Sequence, residues 1–383
     1  MRIAVLREGL EQERRVALTP EAASKLIADG HTVAIEKDAG TRAGLPDQVY
    51  RDAGVTVADD RRELIASADA LLAVTRPDVA DLPGVGSKHA LFCLLDPLWM
   101  PDPMAELAGT GASSLGLELV PRITRAQTMD VLSSMATVAG YQSVLTGAQR
   151  LPRMFPMLMT AAGTIPAARV FILGAGVAGL QAIATARRLG ALVEGFDIRP
   201  AAAEQIRSLG AKAVELDLDT ADSEDSGGYA RAQGDDEQSR QRQALTPILA
   251  AADVVITTAA IPGVRSPELI TAEMVEAMKP GSVVIDLAAA RGGNCAVTVA
   301  DEEVDHHGVT VLGPTRLESE AALSASHMFA NNLVSLLRHL TADDTTLNLD
   351  PDDEITSAML VTAGGSVVHE RVAAALAASG GKA

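Results

Sequence analysis

Residues 169–190 carry the pattern that most restricts the fold. The apolar run RVFIL leads straight into Gly174-Ala175-Gly176-Val177-Ala178-Gly179, which opens the helical stretch VAGLQAIATARRL. A second short run, LVEGF, ends at Asp197, 18 residues beyond Gly179. A glycine triplet alone is a weak signal, but strand, glycine turn, helix, strand and acid in this order read as a dinucleotide-binding βαβ unit. The first glycine makes the tight turn, the second lets backbone approach a pyrophosphate, and the third lets helix and strand pack closely. The helix N-terminus then offers free N–H groups and a positive dipole end to the phosphates. Asp197 is placed to accept hydrogen bonds from the adenosine ribose hydroxyls, and its charge repels a 2′-phosphate, which favours NAD over NADP. Arg199 is the one nearby feature that argues the other way.

The same alternation extends over the whole chain. RVFIL, LVEGF, AVEL, DVVITTA, SVVIDLA and VTVLG form six strand-like runs between Arg169 and Gly313, enough for one doubly wound domain. RIAVL, TVAIE, ALLAV, ALFCLL and SLGLEL form a second set in the first 120 residues, with helical patterns such as Pro20–Asp29 between them. Two Rossmann-like, doubly wound parallel-sheet domains separated by a cleft are expected. A helix is expected over Ala126–Arg150, with Gly140 and Gly147 as weak points, and another from Ser324 to Leu340. MFPMLMTAAGTIPAARV reads as a β-hairpin or an exposed arm. The strand-like AMLVT and SVVHE near the end cannot bury a core alone, so they should return to the first domain. That makes the first domain discontinuous, residues 1–135 plus about 320–383, with the nucleotide-binding domain at 136–319. Asp217–Gln243 holds eight acids and three arginines in 27 residues. It is too polar to form a core element and reads as a long mobile loop or lid.

Composition narrows the function. The formal charge of −18 argues against nucleic acid and against adhesion to an anionic membrane. Cys93 and Cys295 are too few for a disulfide framework, which suggests a reducing, cytoplasmic setting. The N-terminus has no apolar segment suited to a signal peptide, and no run of about 18 apolar residues occurs. The seven histidines lack zinc spacing. His306 and His307, as neighbours, should point apart on a solvated turn, so no metal site is expected.

Between the two alternating regions lies PRITRAQTMD, Pro121–Asp130. Gln127 and Asp130 are three apart and share a face if a helix has begun, with Arg122 preceding them. An amide, a carboxylate and a guanidinium suit a carboxamide and ribose hydroxyls. An ordinary surface helix start, capped by Thr124 or Thr128, fits the same residues.

These segments resemble one family across essentially the whole chain. ERRVALTPEA, PRITRAQTMDVLSS, AGYQSVL, FPMLMTAAGTIPAARV, LGAGVAGLQAIATARRLGA, DIRP, SGGYA, MKPGSVVIDLA, GGN and FANNL are similar to domain I of the proton-translocating, Re/Si-specific NAD(P) transhydrogenases, the NAD(H)-binding portion of the alpha subunit, within the wider alanine dehydrogenase/transhydrogenase family. The resemblance implies NAD(H) bound on this chain and NADP(H) only on a partner subunit, with hydride passing directly between them. It implies that Arg122, Gln127, Asp130 and Ser133 contact the nicotinamide nucleotide, that Val177, Asp197, Ile198 and Arg199 join Gly174, Gly176 and Gly179 at the adenosine and phosphate end, and that Ala260 lies near the adenine. It also implies a loop closing over the nucleotide through Gly228, Tyr229 and Gln243. Gln233 departs from a usual Met there, and Ala260 from a usual Leu. Implied partners are a second copy of the chain, giving a homodimer joined through the exchanged MTAAGTIPAARV arm, and the membrane-embedded transhydrogenase subunits. These are the short second piece of the alpha subunit and the beta subunit, the latter carrying the NADP-binding domain. The chain would then sit peripherally on the inner face of the cytoplasmic membrane.

Comparison with alanine dehydrogenase separates two reactions. Both groups share the arginine of RVALTP, here Arg15. The positions matching the dehydrogenase's catalytic lysine and histidine hold Thr75 and Asp96, and its later aspartate falls on Ala290 or Arg291. Amino-acid oxidation needs a general base and carbonyl-polarising groups. Hydride exchange between two nicotinamides needs only alignment.

Overall fold

In the computed structural model, residues 1–216, 235–260, 263–341 and 345–379 are described, and the side chains of 235–237 are not. The chain divides into two compact units: Met1–Met135 with Glu318–Ala383, and Ala136–Leu317.

The first unit begins with β1 (Arg2–Val5), α1 (Pro20–Ala28), β2 (Thr32–Glu36), α2 (Asp47–Asp52), β3 (Thr56–Ala58), α3 (Arg61–Ser67), β4 (Ala70–Thr75), β5 (Ala90–Leu94), α4 (Asp102–Gly109) and β6 (Ser113–Gly116). The start of α1 is set locally: Thr19 accepts a hydrogen bond from the Ala22 amide and Pro20 occupies the first turn. β3 is a strand that sequence patterning missed, because TVA is too short to show a period. A 3₁₀ turn over Thr124–Met129 precedes α5 (Val131–Arg150). The continuous helix expected from Ala126 therefore starts five residues later.

The second unit contains β7 (Leu158–Thr160), β8 (Gly163–Ile165), β9 (Arg169–Leu173), α6 (Val177–Arg188), β10 (Leu192–Phe196), α7 (Pro200–Ser208), β11 (Lys212–Ala213), α8 (Asp235–Ala251), β12 (Val254–Thr257), α9 (Ala272–Glu276), β13 (Val283–Asp286), β14 (Glu303–His306) and β15 (Val309–Leu312). After it come α10 (Ala322–Leu340), α11 (Glu354–Met359), β16 (Leu360–Ala363), β17 (Ser366–Val367) and α12 (Glu370–Ser379).

The first unit's sheet has the order β17-β16-β6-β5-β4-β1-β2-β3. β6 through β3 are parallel, and β16 adds antiparallel to β6. The second sheet runs β11-β10-β9-β12-β13-β15-β14, parallel except for the last strand. Its strand order reverses between β9 and β12, which is where a doubly wound sheet leaves a crevice at its C-terminal edge. Alternation puts Val170, Ile172, Val254, Ile256, Val283 and Ile285 into one aliphatic core, and Phe171, Leu173, Val255, Val284 and Val311 into the other. Both faces are covered, as a parallel sheet requires.

Three expectations change here. β14 is a seventh strand, hidden in the polar EVDH. The AVEL strand shrinks to Lys212–Ala213. The acidic insertion is helical from Asp235, and Gln241, Leu245 and Leu249 are buried, so its end packs rather than forming an open loop. The hairpin reading of MFPMLMTAAGTIPAARV is realised as antiparallel β7 and β8, with Met157 and Met159 60% and 79% exposed. Gly140 and Gly147 do not weaken α5. They are contact points: a Cβ at Gly140 would run into the Ala178 carbonyl oxygen, and one at Gly147 would lie 3.0 Å from Val254. Among the described residues no helix is long and apolar enough to cross a membrane.

Candidate functional site

The three glycines of the turn after β9 meet three different constraints. Gly174 has φ +99°, and a Cβ there would stand 2.5 Å from Thr258 Oγ1. At Gly179 a Cβ would collide with the Gly174 carbonyl oxygen, so helix α6 lies directly on the turn. At Gly176 a Cβ would meet nothing within 4 Å. Gly176 is also the N-cap of α6 and provides no side-chain cap. The N-terminus of the helix thus starts at the one glycine of the three whose smallness no protein atom demands. That is a cradle shaped for a phosphate group. Val177, the first helical residue, is 40% exposed at its rim.

Asp197 follows β10 at the same edge of the sheet. Its Oδ2 accepts from the Ala175 amide (2.7 Å) and from Arg199 Nη2 (3.0 Å). Its Oδ1 accepts from the Arg199 amide (2.9 Å) and from Arg199 Nε (3.0 Å). A carboxylate has about four acceptor positions, and all four are engaged. The side chain expected to await ribose hydroxyls also ties the glycine turn to Arg199, and a ribose diol there would share or compete for its oxygens. Ile198, between the two, is half-buried.

Sequence reasoning missed Asp286, which ends β13 and is fully buried. Its carboxylate accepts from Thr257 Oγ1 (2.9 Å), the Ala288 amide (3.0 Å), the Asn294 amide (2.7 Å), the Cys295 amide (3.0 Å) and Thr298 Oγ1 (2.8 Å). Asn294 in turn donates to the Ala259 and Pro267 carbonyls (2.8 and 2.9 Å) and accepts from the Ala259 amide (3.0 Å). This network holds the loop after β12, including exposed Ala260, against the loop after β13. Its signal was present as an acid closing an apolar strand ahead of Gly292-Gly293-Asn294, where both glycines take positive φ.

In the first unit, Asp130 is the cap of α5. Its Oδ1 accepts from the Ser133 amide (2.9 Å) and its Oδ2 from the Ser133 hydroxyl (2.6 Å). The expected caps, Thr124 and Thr128, make no capping bond to the 3₁₀ turn. Ala126 and Met129 are buried, and the Thr128 carbonyl accepts from Asn332 Nδ2 on α10 (2.8 Å). Gln127 is exposed near the end of the 3₁₀ turn, and Asp130 follows it as the C-cap, with extended backbone (φ −74°, ψ 90°). Arg122 is exposed and precedes the turn. Gln243, on α8, is also exposed; it lines a shallow groove of about 330 Å³ with Ser239, Thr246 and Thr271. Gly228, Tyr229 and Gln233 lie outside the described residues.

Thr75 donates through Oγ1 to Glu8 (2.6 Å), whose carboxylate also accepts from the Val74 and Thr75 amides (2.7 and 3.1 Å). Burial pushes the Glu8 carboxyl up to about 7. Asp96 has φ +55° and donates its amide to Glu118, another buried carboxyl pushed up to about 7 by desolvation. Arg15 is buried against Glu13 through two bonds of 2.7 and 2.6 Å and lies 3.2 Å from Glu318.

A family model described as "Alanine dehydrogenase/PNT, C-terminal domain" matches residues 143–370, and one described as "Alanine dehydrogenase/PNT, N-terminal domain" matches residues 4–139. The chain belongs to the alanine dehydrogenase/PNT family. Within that family it is 43% identical over 378 residues to the first of the alpha-subunit chains of the NAD(P) transhydrogenase of Rhodospirillum rubrum, covering 96% of this chain and 98% of the relative. A transhydrogenase structure from Sinorhizobium meliloti matches with a TM-score of 0.84 at 40% identity, over 97% of this chain and 99% of that one. An L-alanine dehydrogenase structure matches at 0.80 and 26% identity, over 99% of both. Family membership implies nicotinamide-nucleotide binding and an oxidoreductase role, and the transhydrogenase branch is the nearer of the two.

Proposed function

We propose that this chain is the NAD(H)-binding subunit of a proton-translocating NAD(P) transhydrogenase. NADH bound here passes hydride directly to NADP⁺ on a partner subunit, and other, membrane-embedded subunits couple that exchange to proton movement. The observation that carries the reading is the pairing of a glycine turn open at Gly176 with the absence of lysine and histidine at the two positions where a dehydrogenase needs them. Thr75 is hydrogen-bonded to Glu8 and Asp96 is anchored by its amide to Glu118; neither side chain type polarises a carbonyl as lysine or an imidazolium does. Direct C–H transfer needs alignment instead. We assign that alignment to Arg122, Gln127, Asp130 and Ser133 at the nicotinamide end, and adenosine and phosphate binding to the Gly174–Gly179 turn with Asp197, Ile198, Arg199 and Ala260. Gly228, Tyr229 and Gln243 belong to the proposed closing segment.

The relatives are named as alpha subunits, or as one portion of an alpha subunit, which supports partner subunits and a peripheral place on the inner face of the membrane. The exposed methionines of the β7–β8 hairpin support its role as an arm gripping a second copy of the chain. One assay tests the function. The purified chain is given NADH and an NADP analogue, with and without the NADP-binding domain of a transhydrogenase beta subunit. Exchange only in the presence of that domain supports the proposal. NADH oxidation by the chain alone with pyruvate and ammonia would replace it with an alanine-type dehydrogenase.

A further inference from the structure

The sheet edge opposite the glycine turn carries a second constellation. β14 and β15 are joined by a two-residue turn, His307-Gly308, with φ +54° and +80°. Two successive positive φ values define the turn that matches strand twist in short hairpins, and a non-glycine residue there is uncommon. The turn lies beside the start of β13, where the Gly281 amide donates to the Gly308 carbonyl (2.7 Å). Because of this backbone the rings of His306 and His307 do not diverge as strand neighbours do. They meet edge to face at 4.8 Å between centroids. Both face Glu276, the last residue of α9: His306 Nε2 lies 3.4 Å and His307 Nε2 3.5 Å from Glu276 Oε1.

We propose that Glu276, His306 and His307 form a binding site for a divalent transition-metal ion of the zinc class. Four observations carry this. One ligand atom from each residue lies within 4.8 Å of the other two. At Zn–N and Zn–O bonds near 2.0–2.1 Å, the edge of a coordination tetrahedron is about 3.3–3.4 Å; the two histidine–glutamate separations, 3.4 and 3.5 Å, lie close to it, and the third edge, within 4.8 Å, would close up on an ion. His306 Nε2 is buried and makes no hydrogen bond, although a buried ring nitrogen ordinarily finds a partner; an ion between the three residues would satisfy it. Among the described residues, no lysine or arginine pairs with Glu276 to occupy the carboxylate. Two imidazoles and one carboxylate suit zinc, copper or nickel rather than magnesium or calcium, which require oxygen ligands. His307 and Glu276 are 64% and 43% exposed, so water completes the coordination shell. The ion would tie α9 to the sheet's antiparallel edge strand, independently of nucleotide.

Calorimetric titration of the full chain with Zn²⁺ in chelator-free buffer tests the site. The expected result is one ion per chain, with affinity reduced at least about tenfold by Glu276→Gln, His306→Gln or His307→Gly. His307→Gly keeps the positive-φ turn, so its effect does not depend on misfolding. His327→Gln, at a histidine outside the cluster, should leave binding unchanged. The tetrahedral Co²⁺ absorption of the wild-type chain should disappear in the same three variants. Zn²⁺ uptake unaltered by all three substitutions, or no uptake at all, would overturn the proposal.

Discussion

The Arg199 guanidinium lies flat against the Asp197 carboxylate, with Nε to Oδ1 and Nη2 to Oδ2 both 3.0 Å. With the Ala175 and Arg199 amides this fills the carboxylate. The residue that should read the ribose also holds the glycine turn, and substitution tests both roles. Asp197→Asn loses the charge and sets its NH2 group against one of the two donor pairs that the carboxylate accepts. Its melting temperature should therefore fall together with the preference for NADH over NADPH. Arg199→Ala should instead sharpen that preference, because the bare carboxylate then faces a 2′-phosphate. Direct binding of both nucleotides to the three proteins decides it, and unchanged selectivity in both variants would remove Asp197 from the ribose site.

Gly176 and Gly179 look alike in sequence but should behave oppositely. Gly179→Ala forces a methyl group into the Gly174 carbonyl oxygen and should destabilise the chain by about 3 kcal/mol or prevent folding. Gly176→Ala meets nothing in the protein, so stability should change by no more than about 0.5 kcal/mol while NADH affinity drops. Thermal melts paired with NADH titration check both. A Gly176→Ala protein that binds NADH normally would mean that the pyrophosphate lies elsewhere.

Gln127 and Asp130 lie three residues apart but carry different structural burdens. Asp130 caps α5 through Ser133, so Asp130→Ala should cost about 1 kcal/mol of stability in addition to slowing hydride exchange. Gln127→Ala should slow exchange with no measurable loss of stability and little loss of NADH affinity, because what it removes is alignment. Asp130→Asn retains an acceptor for the Ser133 amide and should recover the stability alone. Denaturant melts and single-turnover exchange assays separate the contributions.

Burial raises the carboxyls of Glu8 and Glu118 from an ordinary 4.5 to about 7. The folded chain then holds more protons than the unfolded one between these values, so their contribution to stability is full below about pH 4.5 and is lost as pH rises through 7. His31 and His369, held below their ordinary 6.5 chiefly by burial, act in the opposite direction below pH 6.5. The measurement is therefore a difference. Between pH 5 and 8, wild type should lose stability relative to Glu8→Gln as pH rises, by at most about 1.4 kcal/mol per pH unit. Parallel stability–pH curves for the two proteins would rule out the raised carboxyl.

Much of the fold is readable because its signals are local. RVFIL, DVVITTA and SVVIDLA are apolar on both faces, so they announce central parallel strands whatever surrounds them. The glycine triplet needs only its neighbours to define turn and helix start. What sequence patterning misses is short or polar: β3 at Thr56–Ala58, β14 at Glu303–His306, and the helical packing of residues 235–251. There, tertiary context and not periodicity selects the conformation. Spacing alone suits threonine as the cap of a helix begun at Ala126, yet Asp130 supplies it, because Thr124–Met129 folds as a 3₁₀ turn and the α-helix starts only at Val131.

The sequence by itself determined the α/β alternation, the dinucleotide turn and the family, since each depends on residue type and spacing along the chain. The tertiary structure decided how the polar groups are used. It gave Asp197 to Arg199, made Asp286 the acceptor for five donors on three segments, and turned His306 and His307 toward Glu276. Those choices depend on backbone conformation at each turn and on which groups the sheet brings within about 3–3.5 Å, and spacing along the chain carries no such distance.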